Sequence, residues 1–217
     1  FWKDLETSLK NLKTDYIDIY QFHNPSFCPK PGDGTGLYEA MLEAKAQGKI
    51  HFIGLTNHRL PVAIEACESG LYDTIQFPFS YLADQKDIEV VHKCKENNIG
   101  FICMKALSGG LINRSDAAYA YLAQFDNVLP IWGIQKENEL DEFISYQTKA
   151  PELTQEIQDL IAHDRKELAG DFCRGCGYCM PCPKGIQIDQ CARMSLMLRR
   201  APAASWLNEH WQNEMKK

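Results

Sequence analysis

Apolar, β-branched runs alternate with amphipathic segments over residues 14–135, and this alternation predicts a parallel sheet with crossover helices. Apolar residues spaced three and four apart predict a helix before every strand, and a sixth helix over about 136–147. The five predicted strands are 16–23, 50–57, 74–80, 100–107 and 129–135. The pattern is that of repeated α/β units.

Five such units leave the type of sheet open. A closed (β/α)8 barrel needs eight strands, so the sheet is either an open doubly wound one or part of a barrel. The long Pro- and Gly-rich stretch 25–36 after the first strand is typical of a loop that forms a ligand site. The sequence lacks GxGxxG and GxxxxGK[ST], the phosphate-binding patterns that open sheets often carry. The pattern therefore favours part of a barrel.

The hydrophobic pattern changes at Pro151, where a helical pattern over 151–170 replaces the α/β alternation. A stretch rich in Cys, Gly and Pro follows at 171–185, and further helical patterns cover 186–200 and about 203–216. We therefore predict an α/β domain over 1–150, a connecting helix over 151–170 and a small cysteine-bearing domain over 171–217.

The nine cysteines fall into two settings. Those that stand singly among strand and helix patterns are predicted to be small core residues: Cys28, Cys67, Cys94 and Cys103. The others crowd into 173–191, where a two-residue spacing brings several thiolates around one metal centre. The predicted ligands of a [4Fe–4S] cluster are Cys173, Cys176, Cys179 and Cys182.

Two alternatives to this cluster assignment stay open. Zinc is disfavoured because its sites usually separate two CxxC pairs by about a dozen residues or more, and unmodified thiols are the remaining possibility. The fourth ligand is either Cys182, which precedes Pro183, or Cys191, or else it comes from a second cysteine motif beyond Lys217.

Composition and charge narrow the range of partners. Hydrophobic residues make up 45% of the 217 positions, and the net charge is −6. Residues 171–217 hold seven Lys or Arg against four Asp or Glu, which is too small a basic excess for a nucleic-acid surface. No apolar run approaches the roughly 20 residues of a membrane span, and the first residues lack a signal-peptide pattern. We predict a cytoplasmic protein without nucleic-acid or membrane partners.

Three segments resemble the aldo/keto reductase superfamily in order and spacing: SLKNLKTDYIDIYQFHNP at 8–25, GKIHFIGLTNH at 48–58, and the strand ends TIQFPFS and ICMKALSGG. In that family they form the fourth to seventh strands of a (β/α)8 TIM barrel, and LPIWGIQKENELDEF resembles the eighth strand with its helix. The cysteine stretch is similar to that of a subgroup with a ferredoxin-type C-terminal domain. The resemblance implies strands 4 to 8 of a partial TIM barrel, followed by a small α-helical, ferredoxin-like iron–sulfur domain.

The resemblance also implies a function, the NAD(P)H-dependent reduction of a small carbonyl substrate. His23 matches a histidine that donates a hydrogen bond to the carbonyl oxygen, although a lone histidine at a strand end is often structural. The residues that match cofactor-binding positions are Thr56, Asn57 and Gln76 for the nicotinamide carboxamide, Met104 for the ring face, and Lys105, Leu107 and Gly109 for the pyrophosphate. Thr56 and Asn57 also fit a helix N-cap, and Lys105 fits a solvated strand end.

Two departures from the family pattern qualify this function. Gly133 and Glu139 stand where the family places cations for a 2′-phosphate, so a preference for NADPH is in doubt. The family's catalytic Tyr, Lys and Asp would precede Phe1, and its second cysteine motif would follow Lys217. We therefore expect a fragment that does not reduce carbonyls alone. The leading hypothesis is a reductase with an electron-transfer domain and a redox partner protein. One alternative is an iron–sulfur electron carrier or redox sensor on a degenerate barrel. The other is that the cluster is structural.

Overall fold

A computed structural model describes residues 1–168, 179–200 and 208–214. Its strands β1 to β5 are Ile17–His23, Ile50–Thr56, Thr74–Pro78, Gly100–Met104 and Val128–Pro130. The helices of the described residues, α1 to α9, are Trp2–Leu12, Leu37–Ala46, Leu60–Ser69, Gln85–Glu96, Ser115–Leu122, Glu137–Thr148, Gln155–Leu168, Ile188–Arg200 and Glu209–Glu214.

The five strands form one sheet in the order β1-β2-β3-β4-β5. The pairs β1–β2, β2–β3 and β3–β4 are parallel. Each parallel connection contains a helix, as a crossover between parallel strands requires. The predicted α/β class and the five strands are confirmed.

Two compact units divide the chain. The first consists of Phe1–Pro78, Ala83–Met104 and Asn127–Leu129, and the second of Phe79–Leu82, Lys105–Asp126 and Pro130–Lys217. The predicted domain boundaries at 150 and 170 stay predictions.

One face of the sheet carries the core of the first unit. Ile53, Leu55 and Ile75 point to this face, as the strand register shows, and each is at most 2% exposed. Helices α1 and α2 contribute Leu5 and Met41, which are also buried. Burying such a side chain contributes about 1.5–3 kcal/mol, so this face holds the unit together.

The opposite face of the sheet is only partly covered. Register places Ile19 beside Phe52, and their exposed fractions are 38% and 49%. Further along, the same face carries Gln21 and Gly54 in register, and Gly54 also aligns with Thr74. Beyond Ile19 and Phe52, this face therefore carries polar side chains from both neighbours of β2, Gln21 of β1 and Thr74 of β3.

All four cysteines that stand singly in the sequence are buried, with exposed fractions of at most 2%, which confirms the prediction that they are core residues. The sulfurs of Cys67 and Cys94 lie 3.4 Å apart in the first unit. Hydrogen bonding with the Cys94 thiol lowers the pKa of Cys67.

Strands β4 and β5 end several residues earlier than predicted, at Met104 and Pro130 instead of 107 and 135. β4 ends at Met104 because Lys105 has a φ of 60°, which starts a series of turns. β5 covers only three residues, since Pro130 has no N–H to donate to a neighbouring strand. Beyond its end, the Trp132 ring stacks on Phe143 with 4.4 Å between the ring centroids.

The second unit is held by a polar contact between α7 and the segment after β3. The Tyr81 hydroxyl donates a 2.5 Å hydrogen bond to Asp164, whose side chain is buried. Arg165 donates to the Tyr81 carbonyl at 2.6 Å. Helix α7 begins at Gln155 rather than at 151 as predicted, and it buries Ile157 among its apolar residues.

No helix in the described parts of the chain has the length and apolar character needed to cross a membrane.

Candidate functional site

The carboxyl ends of β1 to β4 bring four of the predicted site residues to one edge of the sheet in the first unit. His23 is the last residue of β1 and lies in register with Thr56, the last residue of β2. Thr56 aligns in turn with Gln76 of β3, and Met104 ends β4. His23 is exposed and Thr56 is buried, so the edge presents an accessible imidazole beside an enclosed hydroxyl.

A series of side-chain contacts joins all four of these strands. Gln21 Nε2 donates to Gln76 Oε1 at 3.1 Å, and Gln76 Nε2 points at Met104 Sδ at 3.8 Å. Thr56 Oγ1 also points at this sulfur, at 4.0 Å. A thioether is a weak acceptor, so both donors can turn to a stronger acceptor without breaking a good hydrogen bond.

Gln21 takes part in these side-chain contacts, but the sequence analysis did not predict it as a site residue. The signal was present, because a glutamine within the strand pattern YIDIYQFH shares the face of His23, two residues further on. Its Oε1 atom and the Thr74 Oγ1 atom are buried and hydrogen-bond to no described residue. Buried polar atoms are normally satisfied, so these two favour a polar ligand at this face.

Asn57 is engaged at both ends of its side chain. Its Nδ2 donates to the Pro25 carbonyl at 2.8 Å, and its Oδ1 accepts from the Arg59 amide at 2.8 Å, just before α3. These two hydrogen bonds anchor the loop after β1. They do not bear out the capping alternative, because Arg59 is the N-cap residue of α3 and no side chain caps this helix. A role in cofactor binding stays a prediction for this residue, and it would use the second lone pair of Oδ1.

The loop after β4, residues 105–110, belongs to the second unit. It contains the three residues predicted to contact the pyrophosphate, Lys105, Leu107 and Gly109. Lys105 is exposed, and its φ is positive, as are those of Ser108, Gly109 and Gly110. Ser108 N donates to the Lys105 carbonyl at 2.7 Å, and Gly110 N donates to the Leu107 carbonyl at 3.0 Å. In the described part of the chain, the amides of Leu107 and Gly109 make no hydrogen bond, so they are available to an anion.

Gly133 and Glu139 both lie in the second unit. No described atom lies within 4 Å of the position that a Cβ on Gly133 would occupy. Glu139 Oε2 accepts a hydrogen bond from the Gln135 amide at 2.7 Å. Neither residue supplies a positive charge for a 2′-phosphate.

Only part of the predicted cluster can be described. Cys173 and Cys176 lie outside the described residues, while Cys179 is exposed and Cys182 is partly exposed. The Cys182 carbonyl accepts from Gly185 N at 2.9 Å, which closes a turn after this cysteine. Within the described ranges, no group of three or more His, Cys, Asp or Glu forms a metal site.

Comparison with known families and proteins gives consistent matches. Residues 2–128 match the aldo/keto reductase family model. Methylglyoxal reductase DkgB of Salmonella typhi is 35% identical over 134 residues, which cover 58% of this chain and 47% of that protein. The NADH-specific methylglyoxal reductase of Escherichia coli is 31% identical over 110 residues, covering 51% of this chain and 34% of that protein. The chain thus spans about half the length, or less, of the curated relatives it matches.

Among solved structures, an aldo-keto reductase from Bacillus halodurans in its holo form has a TM-score of 0.62 at 22% identity. The match covers 75% of this chain and 65% of that one. At this identity the match shows a shared fold.

Proposed function

Since this chain belongs to the aldo/keto reductase family, we propose that it takes part in the NAD(P)H-dependent reduction of a small carbonyl compound. The observation that carries the proposal is the contact chain from Gln21 through Gln76 to Met104, at the sheet edge where His23 is exposed. Ligands of parallel α/β sheets bind at the carboxyl ends of the strands, which is where these residues lie.

The first unit supplies the groups for the nicotinamide end of the cofactor. Gln76 and Thr56 carry donors that now point at the Met104 sulfur, and a carboxamide oxygen is a stronger acceptor. The Gln21 oxygen suits the carboxamide NH2, because it is a buried acceptor without a described partner. Met104 offers a polarisable thioether for packing against a flat ring. The residues present therefore fit the group.

NAD(P)H supplies the hydride when it is bound, and His23 acts on the substrate. Its imidazole, when neutral, has one N–H to donate to a carbonyl oxygen, which orients the substrate and stabilises negative charge as it develops there. In the second unit, Lys105 and the amides of Leu107 and Gly109 suit the pyrophosphate. Because Gly133 and Glu139 offer no cation, NADH is the nucleotide to test first.

We infer that the substrate is a small aldehyde or ketone, supported by the two similar methylglyoxal reductases. Methylglyoxal is therefore the first substrate to test.

The second part of the proposal is a [4Fe–4S] cluster held by Cys173, Cys176, Cys179 and Cys182, which would exchange electrons with a partner protein. Cys179 and Cys182 fit this role because their thiols are at least partly accessible and are not hydrogen-bonded to a described residue. The two-residue spacing of all four supports it further.

Replacing Gln76 tests the nucleotide site. Gln76→Leu, close in size but without polar atoms, should weaken NADH binding about tenfold, since hydrogen bonds at both ends of the amide are lost. NADH fluorescence titration measures the dissociation constant. Gln47→Leu, at an exposed position on the end of α2, is the control and should bind as the wild type does. His23→Ala should also leave NADH binding unchanged, because its role is toward the substrate. Equal affinity in Gln76→Leu and wild type would contradict the assignment.

A further inference from the structure

Arg193 connects the cysteine-bearing end of the chain to the loop 105–110, within the second unit. It lies on α8, eleven positions beyond Cys182, and its Nη2 donates to the Ser108 carbonyl at 3.0 Å and to the Gly109 carbonyl at 3.3 Å. The approach is close, since a Cβ on Gly109 would lie 2.6 Å from this nitrogen. The positive φ of Gly109 favours glycine, and a side chain there would displace the Arg193 guanidinium.

The loop conformation that Arg193 contacts needs support. Ser108 has a φ of 50°, a left-handed conformation that costs a non-glycine residue about 1–2 kcal/mol. Such a conformation persists only where its surroundings fix it. Besides the hydrogen bond from its amide to Lys105, Ser108 has two contacts outside the loop: its hydroxyl lies 2.8 Å from the Ser80 hydroxyl, and its carbonyl accepts from Arg193.

The charges around the loop favour an anion as its ligand. The guanidinium binds two carbonyl oxygens, whose partial negative charges would otherwise repel a phosphate. Because Arg193 binds these carbonyl oxygens, the loop groups that remain to bind an anion are the amides of Leu107 and Gly109 and the Lys105 ammonium. The guanidinium also adds a permanent positive charge beside the loop.

We propose that Arg193 is a positioning residue for the pyrophosphate-binding loop 105–110, so that the cysteine-bearing segment takes part in dinucleotide binding. This inference rests on the proposed function, which assigns that loop to a pyrophosphate. It adds a residue from outside the stretch 2–128 that matches the family model.

Substitutions at Arg193 test the inference in two ways. Arg193→Ala should weaken NADH binding about fivefold in fluorescence titration, and Arg193→Lys should recover part of the loss because it restores the charge. Arg193→Gln keeps a donor without the charge and should bind no better than Arg193→Lys. Lys184→Ala removes an exposed charge from the same segment and should match the wild type.

A second measurement does not depend on the nucleotide. In hydrogen exchange of the free protein, Arg193→Ala should speed exchange in residues 105–112 and leave β1 and β2 as in the wild type. Inorganic pyrophosphate should slow exchange in 105–112 of the wild type more than in Arg193→Ala.

The outcomes separate this inference from the function it rests on. If the wild type binds NADH and Arg193→Ala binds it equally well, with unchanged exchange in 105–112, the role of Arg193 is wrong and the proposed function stands. If the wild type binds neither NADH nor NADPH, the proposed function fails and this inference fails with it.

Discussion

Cys179→Ser is expected to remove the iron from this protein. The wild type, purified without oxygen, should contain about four iron and four sulfide per chain and absorb broadly in the visible range. Serine keeps the size of the side chain but is a poor ligand for iron, so the variant should lose most of its iron, sulfide and colour. Elemental and sulfide assays measure the loss directly.

A pair of variants identifies the fourth ligand. Cys182→Ser should behave like Cys179→Ser if Cys182 completes the cluster, and Cys191→Ser should then keep its iron. The reverse result would assign the fourth position to Cys191, which lies exposed on α8. Zinc in place of iron and sulfide in the wild type would sink the cluster proposal, as would wild-type iron content in Cys179→Ser.

Gly54→Ala should cost the protein about 1–3 kcal/mol of unfolding free energy. Gly54 lies in the middle of β2, and a Cβ there would overlap Thr74 Oγ1 and lie 2.8 Å from Gln21 Cγ. The added methyl group must therefore push side chains aside on both neighbouring strands. Denaturant unfolding, followed by circular dichroism, measures the change.

The same substitution should also weaken NADH binding, because Gln21 is held against Gln76 and cannot move without disturbing it. Gly100→Ala is the matched control: it lies in the same sheet, and its Cβ would meet Thr74 Cγ2 at an ordinary contact distance of 3.4 Å. It should fold and bind like the wild type. Wild-type stability in Gly54→Ala would show that Gln21 and Thr74 have room to move.

The sequence was sufficient for the sheet because its signals are local. Each strand is a run of apolar residues between breaks, so the predicted strands 16–23 and 50–57 differ from β1 and β2 by one residue each. The burial of Cys67 and Cys94 could also be predicted, since both stand among helical apolar positions.

The candidate site could be predicted only in part, because side-chain partners across strands leave no mark on either strand alone. Gln21 was missed for that reason, since its importance depends on Gln76, 55 positions further on. Asn57 was selected by resemblance, while the hydrogen bonds that occupy its side chain depend on Pro25 and Arg59. The end of β4 also differs from the prediction, since the left-handed Lys105 is fixed by the turn that follows it.

The hydrogen bonds between α7 and the segment after β3 limit where the cysteine-bearing end can be cut out for fusion to another protein. Asp164 and Arg165 hold the hydroxyl and the carbonyl of Tyr81, so a cut before Gln155 would carry away a helix that the rest of its unit needs. It would also leave the buried Ile157 and Ile161 exposed on the excised piece. A graft that begins after Leu168 leaves α7 in place, but it still removes Arg193 from the carbonyls of Ser108 and Gly109.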